Sequence, residues 1–385
     1  MKIIVIGNGI AGYTFASLMI KGLDYCRVEV FSDEEFSPYY RTRILSLLDG
    51  GIQPSALEIL PRIEDERYSL KNLHVDNIDC ENKLVYTSDG KTHRYDVLVL
   101  ANGAKANVLP LPGGRSRGIF ALRTIDDVYA LSSWLETHKD HVVVVGGGLL
   151  GLEAAASVAS SAGCDVTVVE SAGHLLPRQL DRDSAGYLQG RLAKMGVKVV
   201  CDVKTSNFLS DGDDVSGIKC DDGFFIPAHT VIESVGIRPN TFLAVDAGLE
   251  VERAVVVDDH LRTSADDVYA IGDVAQFGKV VAGQVSAAMD MARTLASILC
   301  GKDASYTPSS PSSMLKIAGL DVISLGDVYG GDECIVNEGG TFREAYHLKA
   351  GVLVGCTLIG SREHFSSARG AIGKPFAEVR GSLGL

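Results

Sequence analysis

Three glycines with the spacing GxGxxG lie near the middle of the chain and could form a dinucleotide-binding loop. They follow four valines at 142–145, a pattern that predicts a strand buried on both faces. The first glycine allows a tight turn, the second lets the backbone approach a pyrophosphate, and the third lets the following helix pack closely. The phosphate charge would lie on N–H groups at the helix start. The residues predicted to bind a cofactor here are Gly146, Gly148, Leu149, Leu150 and Gly151.

An acidic residue ends the next predicted strand. This strand covers Asp165 to Val169, and Glu170 follows it directly. A carboxylate at this place accepts hydrogen bonds from the adenosine ribose and repels a 2′-phosphate. No arginine occurs at 171–174 to bind such a phosphate, so the sequence favours NAD(H) over NADP(H). A simple glycine-rich turn is the alternative, but strand, glycines, alanine-rich helix and acid occur in the expected order.

The N-terminus repeats this arrangement. A strand is predicted over Lys2 to Ile6, a helix from Ile10 to about Lys21, and a second strand over Arg27 to Phe31. Either Asp33 or Glu34, just beyond that strand, could bind a ribose. Two such folds imply two bound dinucleotides, NADH and FAD, which share an ADP half. The loop residues predicted to bind FAD are Gly7, Gly9, Ile10, Ala11 and Gly12.

Two further stretches have residue types suited to the first dinucleotide. Arg41 and Arg43, beyond the first loop, could neutralise phosphate charge in a bidentate manner. A solvated basic turn is the alternative interpretation. Ala101, Asn102 and Gly103 follow a predicted strand, and such a small-residue loop lets the backbone approach a ligand.

The elements that must position these residues belong to a chain of 385 residues, enough for two or three domains. Its formal net charge of −13 argues against binding to nucleic acid or an anionic membrane. The eight cysteines include no CxxC pair, so neither a redox disulfide nor a metal site is expected. No stretch has the length of a transmembrane helix, and the first glycine loop explains the apolar N-terminus better than a signal peptide does. We therefore expect a cytoplasmic protein.

Six motifs in this order resemble the FAD-dependent pyridine nucleotide reductase family. They are GNGIAG, PYYR, LANGA, GGGLLG with Glu170, SVGIRPN and YAIGDVA. The stretches PYYRTR and RQLDRD most resemble the NADH:rubredoxin oxidoreductases and the flavoprotein part of assimilatory nitrite reductases. The resemblance covers nearly the whole chain.

This resemblance implies an α/β fold with two Rossmann-like dinucleotide-binding domains and a small C-terminal α+β domain. The NAD domain is expected to be inserted in the FAD domain. The implied boundaries are 1–106 and 238–306 for the FAD-binding domain, 107–237 for the NAD-binding domain and 307–385 for the C-terminal interface domain.

The resemblance also implies roles for single residues. Gly236 would lie in the loop that returns to the FAD domain, and Gly272 would let Asp273 hydrogen-bond the ribityl chain of FAD, with helix capping as an accompanying role. Glu153 would contact the nicotinamide end, unless it only favours the helix dipole. Lys316 would stabilise anionic reduced flavin, although an ordinary surface lysine is an equal alternative.

The implied activity is reduction of FAD by NADH, followed by single-electron transfer to rubredoxin or a similar iron–sulfur protein. Disulfide reductases of this superfamily have cysteines where 39–46 has none, which implies an acceptor outside the polypeptide. Ser46 stands where oxygenase-type ferredoxin reductases usually have a lysine, which favours the rubredoxin group. One alternative is a small acceptor, as in an NADH oxidase or a nitrite-reductase-type component. Another is a non-catalytic flavin-binding redox sensor, which the second nucleotide fold disfavours.

An electron carrier would need a docking surface on this acidic chain. Rubredoxins are typically acidic, so bulk charge would slow encounter unless a basic patch faces the partner. We expect a monomer or homodimer. The candidate residues for the patch are Arg41, Arg43, Arg362, Arg369 and Lys374.

Overall fold

Runs of β-branched apolar residues form the central strands of two parallel sheets. The structure, a computed structural model, describes residues 1–48, 50–308, 312–317 and 319–385. The chain divides into two compact units. The first consists of Met1–Arg43, Gln53–Lys105 and Ile237–Ser309, and the second of Ile44–Ile52, Ala106–Gly236 and Ser310–Leu385.

The secondary-structure elements are numbered in chain order. The strands are β1 (Lys2–Ile6), β2 (Arg27–Ser32), β3 (Tyr68–Asn72), β4 (Val75–Asp79), β5 (Leu84–Thr87), β6 (Thr92–Arg94), β7 (Val97–Leu100), β8 (Ala104–Ala106), β9 (Ile119–Ala121), β10 (His141–Val145), β11 (Asp165–Glu170), β12 (Val197–Cys201), β13 (Thr205–Asp211), β14 (Asp214–Cys220), β15 (Phe225–Pro227), β16 (Thr230–Glu233), β17 (Ile237–Pro239), β18 (Val255–Val257), β19 (Val268–Ala270), β20 (Ala275–Phe277), β21 (Val280–Val281), β22 (Ser312–Ile317), β23 (Leu320–Gly326), β24 (Glu333–Glu338), β25 (Arg343–Lys349) and β26 (Val352–Ile359). The α-helices are α1 (Ile10–Gly22), α2 (Ile125–Leu135), α3 (Leu149–Ala162), α4 (Arg182–Lys194), α5 (Phe242–Asp246), α6 (Val285–Leu299), α7 (Phe365–Ala371) and α8 (Phe376–Val379). Within the described ranges, none of these helices combines the length and apolar character needed to cross a membrane.

The first unit is built on a parallel sheet with the strand order β19-β7-β1-β2-β3. The central strand β1 is apolar and buried, as a strand covered on both faces should be. It pairs with β2 in a register that runs from Lys2↔Arg27 to Ile6↔Phe31. Helix α1 follows the first glycine loop and packs against α6. The strands and helix predicted for the first nucleotide fold are therefore confirmed.

The second unit contains a matching parallel sheet with the order β12-β11-β10-β16-β9. Its central strand β10 pairs with β11 from His141↔Asp165 to Val145↔Val169. Helix α3 begins directly after Gly148, the second glycine of the second loop, in the order that the sequence predicts. The predicted α/β class with two Rossmann-like folds is thus confirmed.

The C-terminal part of the second unit is an antiparallel sheet with the order β22-β23-β26-β25-β24. The sequence alone predicts strands over Met314 to Ile317, Val322 to Leu325, Arg343 to Lys349 and Val352 to Ile359. It does not predict β24, whose side chains are mostly exposed. Ala350 and Gly351, with φ of 50° and 77°, form the predicted turn between β25 and β26. The sequence also predicts a helix near Arg362 to Ile372, and the helix in the structure covers only Phe365–Ala371.

Two predictions about local structure are wrong. The sequence predicts one strand over His93 to Leu100, but the structure has two strands there, β6 and β7. Asp273 lies in a 3₁₀ turn, Gly272–Val274, and the next α-helix begins only at Val285. Asp273 therefore does not cap a helix, because β20 and β21 follow the turn first.

Within the second unit, Asp181 caps α4 and joins this helix to the C-terminal sheet. Its carboxylate accepts hydrogen bonds from the backbone N–H and the hydroxyl of Ser184, at 2.9 and 2.6 Å. The Nε2 atom of His347, on β25, lies 3.4 Å from Asp181 Oδ2. Burial acts to raise the pKa of the Asp181 carboxyl, but His347 and Ser184 outweigh it and hold the pKa well below its usual range.

We expect D181A to destabilise the protein by about 1 kcal/mol through loss of the cap alone. Because the folded-state pKa is depressed, the carboxylate stabilises the fold fully above its ordinary pKa. This contribution is lost as the pH falls from the ordinary pKa through the folded-state pKa. Thermal unfolding should therefore show a melting temperature lower by ~2–4 °C for D181A near neutral pH, and a smaller difference at about pH 3. The exposed Asp183 on the same turn provides the control D183A. An equal loss at both pH values would contradict the account.

Candidate functional site

The glycines of the first loop differ in their surroundings. Gly7 has a φ of +106°, and a Cβ there would collide with the carbonyl oxygen of Ala101. A Cβ on Gly12 would collide with the carbonyl oxygen of Gly7. By contrast, a Cβ on Gly9 would have no atom of the described residues within 4 Å. Packing therefore requires the first and third glycines, whereas the second faces open space at the start of α1.

The second loop repeats this geometry. A Cβ on Gly146, which has a φ of +112°, would collide with the carbonyl oxygen of Ser234. A Cβ on Gly151 would collide with the carbonyl oxygen of Gly146, and one on Gly148 would meet nothing within 4 Å in the described part of the chain. Each loop thus leaves space at its second glycine, where a phosphate can approach the backbone.

Two asparagines of the first unit have buried polar atoms that no described residue satisfies. Asn8 is 7% exposed, and neither its Nδ2 nor its Oδ1 atom has a hydrogen-bond partner. The Oδ1 atom of Asn102 is also buried without a partner, although its Nδ2 donates to the carbonyl of Asn240 at 2.9 Å. A buried polar group without a partner costs about 1–3 kcal/mol. These atoms and the open space at Gly9 fit a ligand that has both donors and acceptors, as FAD has.

The predicted loops of the first unit come together at the carboxyl ends of neighbouring strands. A Cβ on Gly12 would lie 3.3 Å from the Cβ of Ala101, and one on Gly272 would lie 2.9 Å from the Cβ of Ala11. The carbonyl of Gly103 accepts the N–H of Asn240 at 2.9 Å, which holds the loop after β7. Strands β19, β7 and β1, which precede these loops, are adjacent in the sheet. This edge is where parallel sheets bind ligands.

Arg41 takes part in an ion pair with Glu34 in the first unit. Its guanidinium contacts both carboxylate oxygens of Glu34 and donates to the hydroxyl of Tyr39 at 2.7 Å. That hydroxyl in turn donates to Glu34 Oε2 at 2.5 Å. Burial acts to lower the pKa of Arg41, but Glu34 outweighs this effect and, with smaller contributions from Tyr39 and Asp273, raises the pKa. Binding of a phosphate by Arg41 stays a prediction.

The strand register shows which residue of the first fold corresponds to Glu170. In the first fold the N–H of Gly7 donates to the carbonyl of Phe31 at 2.8 Å, and in the second the N–H of Gly146 donates to the carbonyl of Val169 at the same distance. Phe31 and Val169 are each the residue before the last one of the second strand. These strands end at Ser32 in the first fold and at Glu170 in the second. Ser32 therefore occupies the place that Glu170 has in the second fold.

The two acids predicted to bind the FAD ribose come one and two residues after Ser32. Asp33 is exposed, and its Oδ1 atom lies 3.0 Å from Nδ1 of His74. Glu34 is bonded to Arg41. The structure thus gives the two acids different partners, and binding of ribose by either one stays a prediction.

Glu170 is tied to the second glycine loop by backbone hydrogen bonds. Its Oε2 atom accepts from the N–H of Gly147 at 2.6 Å, and its Oε1 atom accepts from the N–H of Ala172 at 2.7 Å. A Cβ on Gly147 would lie 3.1 Å from the Cβ of Glu170. The loop backbone therefore fixes a carboxylate that is only 8% exposed.

Glu153 lies near the start of α3 and is half-buried. Burial raises the pKa of its carboxyl to about 7. A carboxyl with such a pKa takes up and releases a proton near neutral pH. The role at the nicotinamide end that the family resemblance implies for Glu153 stays a prediction.

The structure places three further predicted residues as follows. The carbonyl of Gly236 accepts the N–H of Asn107 at 2.9 Å in the second unit. Arg43 is exposed. Lys316 lies on β22, and its side chain falls outside the described part of the chain.

Sequence reasoning missed Asn8 and Tyr39. Asn8 is the only polar side chain within GNGIAG, and a polar residue between two packing glycines is a usable signal. Tyr39 has no such signal, because its contact with Glu34 and Arg41 depends on the path of the loop between them.

Two glycine-loop nucleotide folds on one chain define the class of protein. Residues 1–292 match the family described as pyridine nucleotide-disulphide oxidoreductase, and the chain belongs to this family. Flavoproteins of this family use FAD and NAD(P)H. The family resemblance drawn from the motifs is confirmed, as are the predicted cofactors at the level of the family.

Several characterised proteins are similar to this chain. Nitrite reductase (NAD(P)H) from Bacillus subtilis is 32% identical over 368 residues, which cover 93% of this chain and 45% of that protein. NADH-rubredoxin oxidoreductase from Clostridium acetobutylicum is 31% identical, over 85% of this chain and 82% of that protein. The ferredoxin reductase of the CYP199A2 system from Rhodopseudomonas palustris superposes with a TM-score of 0.88 at 28% identity, over 96% of this chain and 93% of that one. The chain thus spans less than half the length of the Bacillus subtilis nitrite reductase.

The contrast between the second and third glycines of a loop can be tested in the second fold. G148A should change the free energy of unfolding by less than about 1 kcal/mol, the cost of a poorer N-cap residue, because its Cβ meets open space. G151A should destabilise by ~1–3 kcal/mol, because its Cβ collides with Gly146. In G148A, NADH affinity should still fall by about tenfold or more, since the methyl group occupies the space that a phosphate needs.

Thermal unfolding without nucleotide and titration with NADH measure the two effects separately. Equal losses of stability in G148A and G151A would contradict the division of roles between these glycines.

The raised pKa of Glu153 predicts a pH-dependent stability. Below its ordinary pKa of 4.5 the carboxyl is protonated in the folded and in the unfolded state. The stability that it contributes is lost as the pH rises through its folded-state pKa of about 7. The melting temperature of the wild type should therefore fall relative to that of E153Q between about pH 5 and pH 8. Thermal unfolding of both proteins across this range measures the difference, and E136Q, at an exposed position, is the control. A difference that does not change with pH would contradict the burial of Glu153.

Proposed function

We propose that this chain is an NADH-dependent flavoprotein reductase that passes electrons from NADH through FAD to rubredoxin or a similar small iron–sulfur carrier. The observation that carries the proposal is the pair of matching glycine-loop folds, each with open space at its second glycine. A chain with two dinucleotide sites is suited to transfer between two dinucleotides. When bound, FAD supplies the chemistry that converts a two-electron donor into a source of single electrons.

The residues of the first unit would hold FAD. Backbone at Gly9 would receive the pyrophosphate, and the loops at Ala101–Gly103 and Gly272 would bring small residues close to the cofactor. Asp273 would accept hydrogen bonds from the ribityl chain. In this proposal the FAD-binding domain is 1–106 and 238–306, the NAD-binding domain is 107–237 and the C-terminal interface domain is 307–385.

The residues of the second unit would orient NADH. Gly148 would receive its pyrophosphate, and Glu170, fixed by the N–H of Gly147, would accept from the adenosine ribose. A 2′-phosphate would meet this carboxylate, which supports NADH over NADPH. Glu153 would lie at the nicotinamide end. Hydride transfer needs alignment more than acid–base groups, so the protein's part is orientation and exclusion of water.

The acceptor in this proposal is a separate molecule. No cysteine occurs between Cys26 and Cys80, so the segment at 39–46, where disulfide reductases of this superfamily have their redox cysteines, has no thiol to receive electrons. Of the predicted docking residues, Arg362 forms an ion pair with Asp321 at 2.6 Å. Other predicted docking residues are exposed, namely Arg369 and Lys374 in the second unit and Arg43 in the first. We place the protein in the cytoplasm as a monomer or homodimer.

A nitrite-reductase-type component is the second candidate. The observation that favours it is the similarity to Bacillus subtilis nitrite reductase over 93% of this chain. In that case the acceptor would lie on another polypeptide or another part of a longer one. The two candidates share the step from NADH to FAD and differ only in the acceptor.

Anaerobic addition of NADH to the FAD-loaded protein should bleach the flavin absorbance, and NADPH should do so less efficiently. Stopped-flow mixing of the reduced protein with rubredoxin should then restore the absorbance several times faster than mixing with dioxygen or nitrite. The rate should depend on salt, because encounter between an acidic carrier and a basic patch is screened. The double variant R369A/K374A should lower this rate without changing the bleaching by NADH.

Failure of NADH to bleach the flavin would overturn both candidates. Bleaching followed by faster reoxidation with nitrite, dioxygen or a haem partner would overturn the assignment of rubredoxin. The singly changed surface variant K279A provides a control for loss of an exposed cation outside the predicted patch.

A further inference from the structure

The side chain of Asn8 has the properties of a ligand-binding group. It is 7% exposed, yet neither amide atom has a hydrogen-bond partner within the described part of the chain. It lies between Gly7, whose carbonyl packs against α1, and Gly9, where an added Cβ would meet no described atom within 4 Å. An amide buried in this way has lost its water without gaining a partner, and such a site is stable only at a cost. A polar group that arrives with a ligand removes that cost.

The second loop shows where a side chain at this position points. Gly147 is the counterpart of Asn8, since each follows the first glycine of its loop. A Cβ on Gly147 would lie 3.1 Å from the Cβ of Glu170 and 3.2 Å from its Oε2 atom. A side chain at this position is therefore directed towards the residue that ends the second strand.

In the first fold that strand ends at Ser32 instead of an acid. The Ser32 hydroxyl accepts the N–H of Glu34 at 3.3 Å and so serves a local turn. The second loop thus combines a glycine with a strand-end carboxylate, whereas the first combines an asparagine with a short hydroxyl. The larger polar side chain is thus on the loop in the first fold and at the strand end in the second, and both positions border the region between loop and strand end.

We propose that the side-chain amide of Asn8 binds the adenosine ribose of FAD, in the place that Glu170 has towards the ribose of NADH. The inference rests on the proposed function, because it assigns a residue of the same FAD site. The Oδ1 atom accepts from a ribose hydroxyl, and the Nδ2 atom donates to a ribose oxygen. Asn8 thus supplements Asp33 and Glu34, neither of which occupies the strand-end position.

The test is FAD titration of the FAD-free protein, followed by flavin fluorescence, for the wild type, N8A and N8D. We expect N8A to bind FAD about tenfold or more weakly, because its hydrogen bonds to the cofactor are not made. N8D should bind more tightly than N8A, because a carboxylate accepts from ribose hydroxyls as Glu170 is arranged to do. The exposed Asn82 of the same unit provides the control N82A, which should bind like the wild type.

A second readout separates ligand binding from a structural role. Without FAD, N8A should melt no lower than the wild type, since alanine removes an unsatisfied buried amide. With FAD, N8A should gain less in melting temperature than the wild type gains. A variant that melts lower by the same amount with and without FAD would show that Asn8 is structural.

Three outcomes overturn the proposal at different points. Unchanged FAD affinity in N8A removes Asn8 from the site. Weaker binding by N8D than by N8A shows that the amide meets a phosphate rather than a ribose, because an added negative charge then repels it. A wild-type protein that takes up no FAD would instead overturn the proposed function itself.

Discussion

The structure depends on a steric constraint at the end of each central strand, where two backbone segments approach too closely for any Cβ. The constraint acts at Gly7 and Gly12 in the first fold and at Gly146 and Gly151 in the second. It holds the first turn of each following helix against its strand, which leaves the ligand space beside the second glycine of each loop. The pattern is recognisable in the sequence because no other residue type fits at these positions.

The same reasoning explains why the parallel sheets could be predicted. Strand β10 is four valines after a histidine, and a continuous apolar run flanked by a glycine loop has few other interpretations. Strand β24 could not be predicted in this way. It lies at the edge of an antiparallel sheet with its side chains mostly exposed, so burial imposes little pattern on its sequence. The division of 93–100 into two strands was also missed, since both parts favour extended backbone.

The polar residues of the site were predicted less completely, because their roles depend on register and loop path. Sequence reasoning placed an acid near the end of β2 but could not show that Ser32 is the residue aligned with Glu170. A shift of one residue changes the direction of a side chain. The partner of Arg41 was hidden for a related reason, since Glu34 and Arg41 are brought together by an irregular loop.

The two nucleotide folds differ in how their polar groups are satisfied before any ligand binds. In the first, the amide of Asn8 and the Oδ1 atom of Asn102 are buried without partners among the described residues. In the second, Glu170 already accepts hydrogen bonds from the backbone. A ligand of the first fold therefore gains hydrogen bonds that the protein alone lacks, and it stabilises the folded state accordingly. A ligand that contacts Glu170 in the second fold would add to, or exchange, hydrogen bonds that exist already. This asymmetry supports the proposal that FAD is a resident cofactor of the first fold and NADH an exchanging substrate of the second.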